Sequence, residues 1–212
     1  MLNRANARLP IFEDDGDYEA FEAILQQAVA RFETRLIAYC LMPNHWHLVV
    51  WPQHDGELSD FGHWLTLTHT QRWHAHRRSA GSGHVYQGRF KSFPVQEDDH
   101  FYTVARYVER NALKAKLVRR AEEWRWSSLY RWIRGSAEDK DLLAAWPLPR
   151  RPSWVEHVNA PQTEAETQAV LQSLKRGSPL GDDQWTERIV RQMGLESTLR
   201  PQGRPKKPQI GS

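Results

Sequence analysis

Two β-prone runs joined by a short turn constrain the fold of this sequence more than any other feature. The first run covers residues 36–41 and the second covers residues 45–51. Pro43 and Asn44 lie between them, and both residue types favour turns. Because short apolar runs with such a connection indicate antiparallel strands, we expect a β-hairpin that forms part of a sheet.

Amphipathic helices are predicted before and after this hairpin. Residues 17–33 place apolar side chains at helical spacing and follow two cap-like residues, Asp14 and Asp15. We expect a second helix over residues 59–77, with Ser59 as its N-cap. These two helices would bury their apolar faces against the sheet.

The pattern continues with a short strand and a third helix. Residues 90–95 predict an edge strand, because Pro94 lacks the N–H group that a central position requires. Residues 98–116 predict a helix whose buried stripe consists of Phe101, Val104 and Val108. The order helix, strand, strand, helix, strand, helix predicts an α+β sandwich with an antiparallel sheet.

The composition changes after about residue 135. We expect a core over residues 1–135, followed by a linker rich in proline and charge over residues 136–161. Residues 162–195 then predict a pair of helices, and residues 196–212 form a basic, flexible tail. The helical pair is interpreted either as a small DNA-binding or docking element or as a lid that folds back on the core.

Composition restricts the class of protein. The sequence contains no run of about 18 apolar residues, which a membrane span would need, and its first residues lack the apolar core of a signal peptide. Cys40 is the only cysteine, so neither an internal disulfide nor a thiolate zinc cage can form. We therefore expect a soluble, cytoplasmic protein, and any metal site must use histidine and oxygen ligands.

Positive charge is concentrated rather than spread evenly. The formal net charge is only +3, but there is no acidic residue between Asp60 and Glu97. Cations and rings interleaved in this way suit single-stranded nucleic acid, because cations contact phosphates and rings stack on bases. The alternative is a solvated basic helix face. The predicted DNA-binding residues are Arg72, Trp73, Arg77, Arg78, Arg89, Lys91, Arg106, Arg110, Arg204, Lys206 and Lys207.

A histidine pair in the second β-prone run is a candidate metal site. Side chains alternate along a strand, so His45 and His47 lie on one face and Trp46 on the other. Two imidazoles at this spacing can bind one metal ion, although surface or hydrogen-bonded core histidines give the same pattern.

A tyrosine and an asparagine on the third predicted helix could complete this site. Tyr107 and Asn111 are four residues apart and so share a helical face. Tyr107 could be a nucleophile and Asn111 a carboxamide ligand, whereas the ordinary alternative for a buried tyrosine is a packing role. A phenol is a weak nucleophile at neutral pH, so covalent chemistry would need the help of a metal beside the target phosphate.

Four motifs in consistent order resemble the single-tyrosine transposases of the HUH superfamily, and in particular the REP-associated tyrosine transposases. The motifs are YCLMPNHWHLV at 39–49, QGRFKS at 87–92, RYVERN at 106–111 and WSS at 126–128. The resemblance implies a ferredoxin-like sandwich in which His45 and His47 bind Mg²⁺ or Mn²⁺, Asn111 is a further ligand and Tyr107 is the nucleophile. The family pattern places the first sheet strand ahead of Asn3 and Arg4, where this sequence has two residues, which leaves open whether the strand is present.

The resulting functional hypothesis is a metal-dependent endonuclease and strand transferase that acts on single-stranded DNA through a 5′-phosphotyrosine intermediate. The resemblance implies hairpin or repeat DNA as the partner, and the protein would act as a monomer or homodimer. Two alternatives remain open: a catalytically inactive nucleic-acid-binding module of this family, and a zinc hydrolase in which water is the nucleophile.

Overall fold

A computed structural model of the chain describes residues 1–79, 81 and 83–200, apart from the side chains of residues 138 and 139. The strands are β1 (Leu2–Arg4), β2 (Arg35–Met42) and β3 (His45–Trp51). The helices are α1 (Asp15–Phe32), α2 (Glu57–Arg77), α3 (Asp99–Glu109), α4 (Asn111–Lys114), α5 (Ser128–Arg134), α6 (Ala137–Lys140), α7 (Trp154–Asn159), α8 (Glu164–Arg176), α9 (Asp183–Met193) and α10 (Glu196–Leu199). None of these helices is long and apolar enough to cross a membrane.

The predicted hairpin forms the centre of an antiparallel sheet with strand order β1-β3-β2. Met42 pairs with His45, so Pro43 and Asn44 form the two-residue turn. The turn is held from outside, because the backbone N–H groups of Ile11 and Phe12 donate to the Pro43 carbonyl oxygen. The antiparallel α+β prediction is confirmed.

The first sheet strand is present, which answers the question that the resemblance left open. β1 is only three residues long, but Leu2 pairs with His47 and Arg4 pairs with His45. The N–H and carbonyl of Leu2 also exchange hydrogen bonds with Lys91 on the other side. β3 is therefore a central strand along its histidine-bearing half.

The sheet lies between two helical layers. On one face, Tyr39, Leu41 and Trp46 pack with apolar residues of α1 and α2 in the main core. On the other face, Cys40 and Met42 pack with residues of α3 and α8. Because strand side chains alternate, the two strands of the hairpin contribute to both cores.

The start of α1 agrees with the sequence prediction, whereas the start of α2 does not. α1 follows the Asp14 cap, whose carboxylate accepts from the Asp17 N–H, as expected. α2 begins at Glu57 after Gly56, so the prediction of Ser59 as its cap was wrong. The Glu57 carboxylate is buried and accepts hydrogen bonds from Thr34 and from the backbone of residues 53 and 54, which fixes the earlier start.

The predicted strand over residues 90–95 is not a strand in the structure. Lys91 and Val95 each form one isolated bridge, to Leu2 and Leu180. Pro94 cannot donate a ladder hydrogen bond, and the Phe90 ring packs against Gly62 of α2, where an added Cβ would lie 2.3 Å from it. The segment therefore runs along β1 without extending the sheet.

The helix predicted over residues 98–116 consists of α3 and α4, separated at Arg110. Hydrogen bonds from Arg110 N to Arg106 O and from Lys114 N to Arg110 O span the break, so the two helices keep nearly one direction. Phe101, Val104 and Val108 are buried, as their spacing predicted.

The segment predicted as a linker packs against the core instead of extending. Trp154 of α7 is 2% exposed, and its indole N–H donates to the buried Glu109 carboxylate of α3. α8 places Val170 and Leu174 in the same apolar cluster as Tyr107. α8 and α9 end at Gly177 and Gly194, as predicted, and α8 packs against α3, in the way the lid interpretation described.

Candidate active site

The histidine pair lies on the face of β3 that looks toward α3. The rings of His45 and His47 are 5.0 Å apart between centroids, while Trp46 is fully buried on the opposite face. His47 is 3% exposed and His45 is partly exposed. The alternation expected for a strand is therefore observed.

Tyr107 of α3 lies against this pair. Its ring centroid is 5.7 Å from that of His47, in an edge-to-face arrangement, and Tyr107 is 8% exposed. Val104 and Val108 on either side of it anchor α3 to the sheet, which holds the phenol beside the imidazoles.

Asn111 joins the cluster through His45. Its side chain, one helical turn after Tyr107, is close enough to the His45 ring to raise the pKa of that imidazole. The other side of the His45 ring is held by the hairpin turn, since Nδ1 lies 2.7 Å from Asn44 Oδ1. The structure thus brings together all four residues that the sequence selected.

Burial determines the protonation of this cluster. It lowers the pKa of His45 to about 4, with the charge of Arg4 acting in the same direction and Asn111 opposing it. Burial also holds the pKa of His47 well below its usual value, assisted by the charges of His45 and other neighbours. Both imidazoles are therefore neutral at pH 7. Burial raises the pKa of Tyr107, and Arg4 partly opposes this rise.

Two cations beside Tyr107 were missed by the sequence analysis. Arg4 lies on β1 directly opposite His45, and the Lys114 ammonium lies 5.4 Å from the centroid of the Tyr107 ring. Lys114 follows Tyr107 by seven residues, so its helical spacing could have revealed it. Arg4 had no such signal, because its position depends on the register between β1 and β3.

The donors present fit a divalent cation. His45 Nδ1 lies beside Asn44 Oδ1, an outer partner that would orient the ring so that Nε2 could act as the ligand of a metal. Neutral imidazoles and a carboxamide oxygen are all ligand types that proteins use. Among the described residues no group of three histidine, cysteine or acidic side chains surrounds a metal position. A cation here would thus need further oxygen ligands from a substrate or from water.

The predicted DNA-binding residues fall into two groups in the structure. Four of them are exposed cations: Arg72 and Arg78 on or after α2, and Arg89 and Lys91 beside β1. The backbone of Lys91 is hydrogen-bonded to Leu2, so its segment borders the strand that carries Arg4.

Arg77 and Trp73 have structural roles that differ from the prediction of direct DNA contact. Both terminal nitrogens of Arg77 donate to the Asp17 carboxylate, at 3.0 and 2.6 Å, and the guanidinium stacks on Trp73. The Trp73 indole N–H donates to the Ile11 carbonyl oxygen. These contacts join α2 to α1 and leave the Arg77 side chain 20% exposed.

Arg106 and Arg110 likewise make hydrogen bonds within the protein, and their predicted contact with DNA stays a prediction. Arg106 is 5% exposed, and its Nη2 donates to the carbonyl oxygens of Ala160 and Pro161. Arg110 donates to the carbonyl oxygens of Val158 and Asn159. Both side chains hold the end of α7 against α3. The predicted contacts Arg204, Lys206 and Lys207 lie outside the described residues.

The chain combines a histidine pair on a central strand with a tyrosine-bearing helix that faces this pair in an α+β sandwich. The sequence profile of the family described as "Transposase IS200 like" matches residues 1–111, slightly more than half of the chain. The chain belongs to this family of DNA-cleaving transposases. The resemblance found in the sequence is confirmed.

A solved structure shares this fold. It is described as a REP-associated tyrosine transposase bound to a REP hairpin and superposes with a TM-score of 0.51. The two sequences are 16% identical, and the match covers 63% of this chain and 77% of the other. None of the curated proteins matches the chain significantly.

Proposed function

We propose that this transposase cleaves single-stranded DNA with Tyr107 as the nucleophile and rejoins it through a 5′-phosphotyrosine intermediate. The observation that carries the proposal is the convergence of Tyr107, His45, His47 and Asn111 from separate elements onto one face of the sheet. A purely structural tyrosine would not require two neutral, same-face histidines beside it.

The chemical step conserves the number of phosphodiester-type bonds. The Tyr107 Oη–P bond forms as the P–O3′ bond of the DNA breaks, the phenol proton passes to water and the departing 3′ oxygen takes a proton from water. A 3′-hydroxyl can reverse the step, so the transfer needs no nucleotide hydrolysis.

The cation that fits the site is Mg²⁺ or Mn²⁺, held by His45, His47 and Asn111. When bound, it supplies polarisation of the phosphoryl oxygen and stabilisation of the leaving oxygen. The chain itself contributes orientation: α3 fixes the phenol against His47, and the Asn44 contact fixes the His45 ring.

Hairpin DNA with a single-stranded flank is the substrate class that we propose. The support is the REP hairpin bound by the structural neighbour, together with the exposed cations Arg89 and Lys91 beside β1. Single-stranded flanks suit the site because an extended backbone can bring one phosphate to the Tyr107 hydroxyl.

The test is covalent trapping on a library of hairpins with randomised single-stranded flanks. Each strand carries a 3′-end fluorophore, because the fragment on the 3′ side of the break becomes attached to the protein. After incubation with Mn²⁺ and denaturation, we expect a fluorescent adduct whose peptide mass maps to Tyr107. Tyr107→Phe removes only the hydroxyl and should bind DNA without forming the adduct.

Tyr102→Phe is the matched control, since Tyr102 lies on the same helix but donates its hydroxyl to the Pro149 carbonyl oxygen. It should form the adduct normally. Cleavage without an adduct would instead support a zinc hydrolase that uses water. Binding without cleavage, across the whole library, would support an inactive DNA-binding member of the family.

A further inference from the structure

Arg4 occupies a defined position on the active-site face of the sheet. It pairs with His45 across the antiparallel β1–β3 ladder, and Leu2 pairs with His47. Directly opposed residues of neighbouring strands project to the same face. Arg4 therefore shares its face with both histidines, and Asn3, the partner of Trp46, lies on the other.

The backbone of Arg4 is held from both sides. β3 pairs with it along one edge, and along the other edge the Gln87 N–H donates to the Arg4 carbonyl oxygen. The Arg4 N–H is also satisfied, by the Asn3 side-chain oxygen. The base of the side chain is thus fixed before any ligand binds, which lowers the entropic cost of using it.

The guanidinium of Arg4 has no counter-ion in the part of the chain that the structure describes. Three arginines with structural roles differ in this respect, because Arg77 pairs with Asp17, Arg131 with Glu22 and Arg106 with Glu166. Arg4 is also partly buried, beside a cluster that contains no carboxylate. A partly buried guanidinium without an acidic partner can form charge-assisted hydrogen bonds with an anionic ligand.

The charge of Arg4 acts on the whole cluster. It is among the causes, after burial, that lower the pKa of His45 and His47, and it counteracts the effect of burial on Tyr107. Its field is therefore felt at the phenol oxygen and at the paired imidazoles alike. A phosphate between these groups would lie within that field.

We propose that Arg4 binds the scissile phosphate of the DNA and is a further catalytic residue of strand cleavage. This inference rests on the proposed function of Tyr107. The planar guanidinium can donate two parallel hydrogen bonds to nonbridging phosphate oxygens. That contact would orient the phosphorus toward Tyr107 and stabilise the charge that develops as the P–O3′ bond breaks.

The experiment compares Arg4→Gln and Arg4→Lys with the wild type. Arg134→Gln is the matched control, because Arg134 is an exposed arginine at the end of α5. DNA binding is measured at several salt concentrations in a Tyr107→Phe background. The DNA is a hairpin from the library that formed the adduct. If no adduct forms, an unselected pool of the library is used. Thermal melts establish that each variant folds.

Loss of one phosphate contact should flatten the slope of log K against log salt by about 0.7 for Arg4→Gln. Arg4→Lys should restore the slope, and Arg134→Gln should leave it unchanged. With Tyr107 present, adduct formation at saturating DNA should slow at least about 10-fold in Arg4→Gln and remain slow in Arg4→Lys, because lysine cannot make the bidentate contact.

Replacing the phosphate at the mapped cleavage site with a neutral methylphosphonate gives the most specific test of this contact. It should weaken DNA binding more in the protein with Arg4 than in Arg4→Gln, since the variant has already lost the contact. An unchanged salt slope, or equal methylphosphonate losses in both proteins, would overturn the role of Arg4. If the wild type forms no adduct but Arg4→Gln still flattens the salt slope, the result would support the phosphate contact and reject strand transfer by Tyr107.

Discussion

The protonation state of the paired histidines decides whether they can bind a cation. A protonated imidazole has no lone pair to give, and burial keeps both His45 and His47 neutral at physiological pH. Their sequence spacing predicted a shared face, but their neutrality follows from packing against α3, which no local pattern reveals.

Removal of either histidine should therefore disable the site. We expect His45→Ala and His47→Ala each to weaken Mn²⁺ binding at least about 10-fold, the smallest loss typical even of outer-shell partners. The double variant should be little worse than either single one, because the losses are not additive within one site. Titration calorimetry of the DNA complex measures this, with the exposed His63→Ala as control. Full Mn²⁺ affinity in the double variant would remove the histidines from the site.

Arg106, which was predicted to contact DNA, makes several contacts within the protein. It is buried, donates to two backbone carbonyls and lies 3.6 Å from Glu166 of α8. Arg106→Gln should lower the free energy of unfolding by about 1.5–3 kcal/mol, the usual worth of hydrogen bonds to a charged group. Urea denaturation measures this loss. DNA binding at several salt concentrations should keep the wild-type slope, and a flatter slope would return Arg106 to the DNA interface.

At the level of elements, periodic segments were predictable and register was not. The hairpin, α1, α3, α8 and α9 were indicated by apolar spacing and by cap residues such as Asp14 and Gly177. β1 was left open because three residues carry no periodicity, and its existence depends on long-range pairing with β3. Residues 90–95 had strand-like composition but form only isolated bridges, from Lys91 to Leu2 and from Val95 to Leu180.

Dependence on contacts distant in sequence also explains why some cations between Asp60 and Glu97 are paired and others are exposed. Its lack of acidic residues predicted free cations, but Asp17 is supplied by α1, which is distant in sequence. Among the described residues no acidic side chain forms an ion pair with Arg89 or Lys91, and both stay exposed.

Two matched variants separate these segments. Arg89→Ala with Lys91→Ala should flatten the salt slope of DNA binding by up to about 1.4, because each phosphate contact contributes about 0.7 for single strands. Arg77→Ala should leave the slope unchanged and should instead lower thermal stability, since it releases Asp17. Fluorescence anisotropy across salt concentrations, with melts alongside, gives both readouts. The reverse pattern would place the DNA on α2.

Over the whole molecule, buried neutral histidines make folding sensitive to acid. His69 is 4% exposed, and burial lowers its pKa to about 3. Its Nδ1 lies 2.7 Å from the Tyr86 hydroxyl, which already accepts from the Trp46 indole and so has its proton free for His69.

Stability should fall as the pH drops from about 6.5 toward 4. In that window the unfolded chain binds protons at histidine and the folded chain does not. Each buried neutral histidine therefore lowers the free energy of unfolding by about 1.4 kcal/mol per pH unit. His69→Gln retains an acceptor for Tyr86 but cannot titrate, and its unfolding free energy should depend less steeply on pH. Urea denaturation at pH 7, 6, 5 and 4.5 tests this, and identical slopes would show that His69 is not the buried neutral group described.

The helices after residue 161 belong energetically to the sandwich. Val170 and Leu174 of α8 complete the apolar cluster around Tyr107, and full burial of such side chains is worth about 1.5–3 kcal/mol each. Glu166 also faces Arg106, so the end of α7 and the start of α8 are both tied to α3.

A chain ending at residue 161 should then melt about 10–20 °C lower than the full chain, given roughly 2–4 °C per kcal/mol for a protein of this size. A chain ending at residue 200 keeps every described element and is the control, with circular dichroism as the readout. Equal melting temperatures for the 161-residue chain and the full chain would instead make residues 162–195 a separate element, as in the docking-element interpretation.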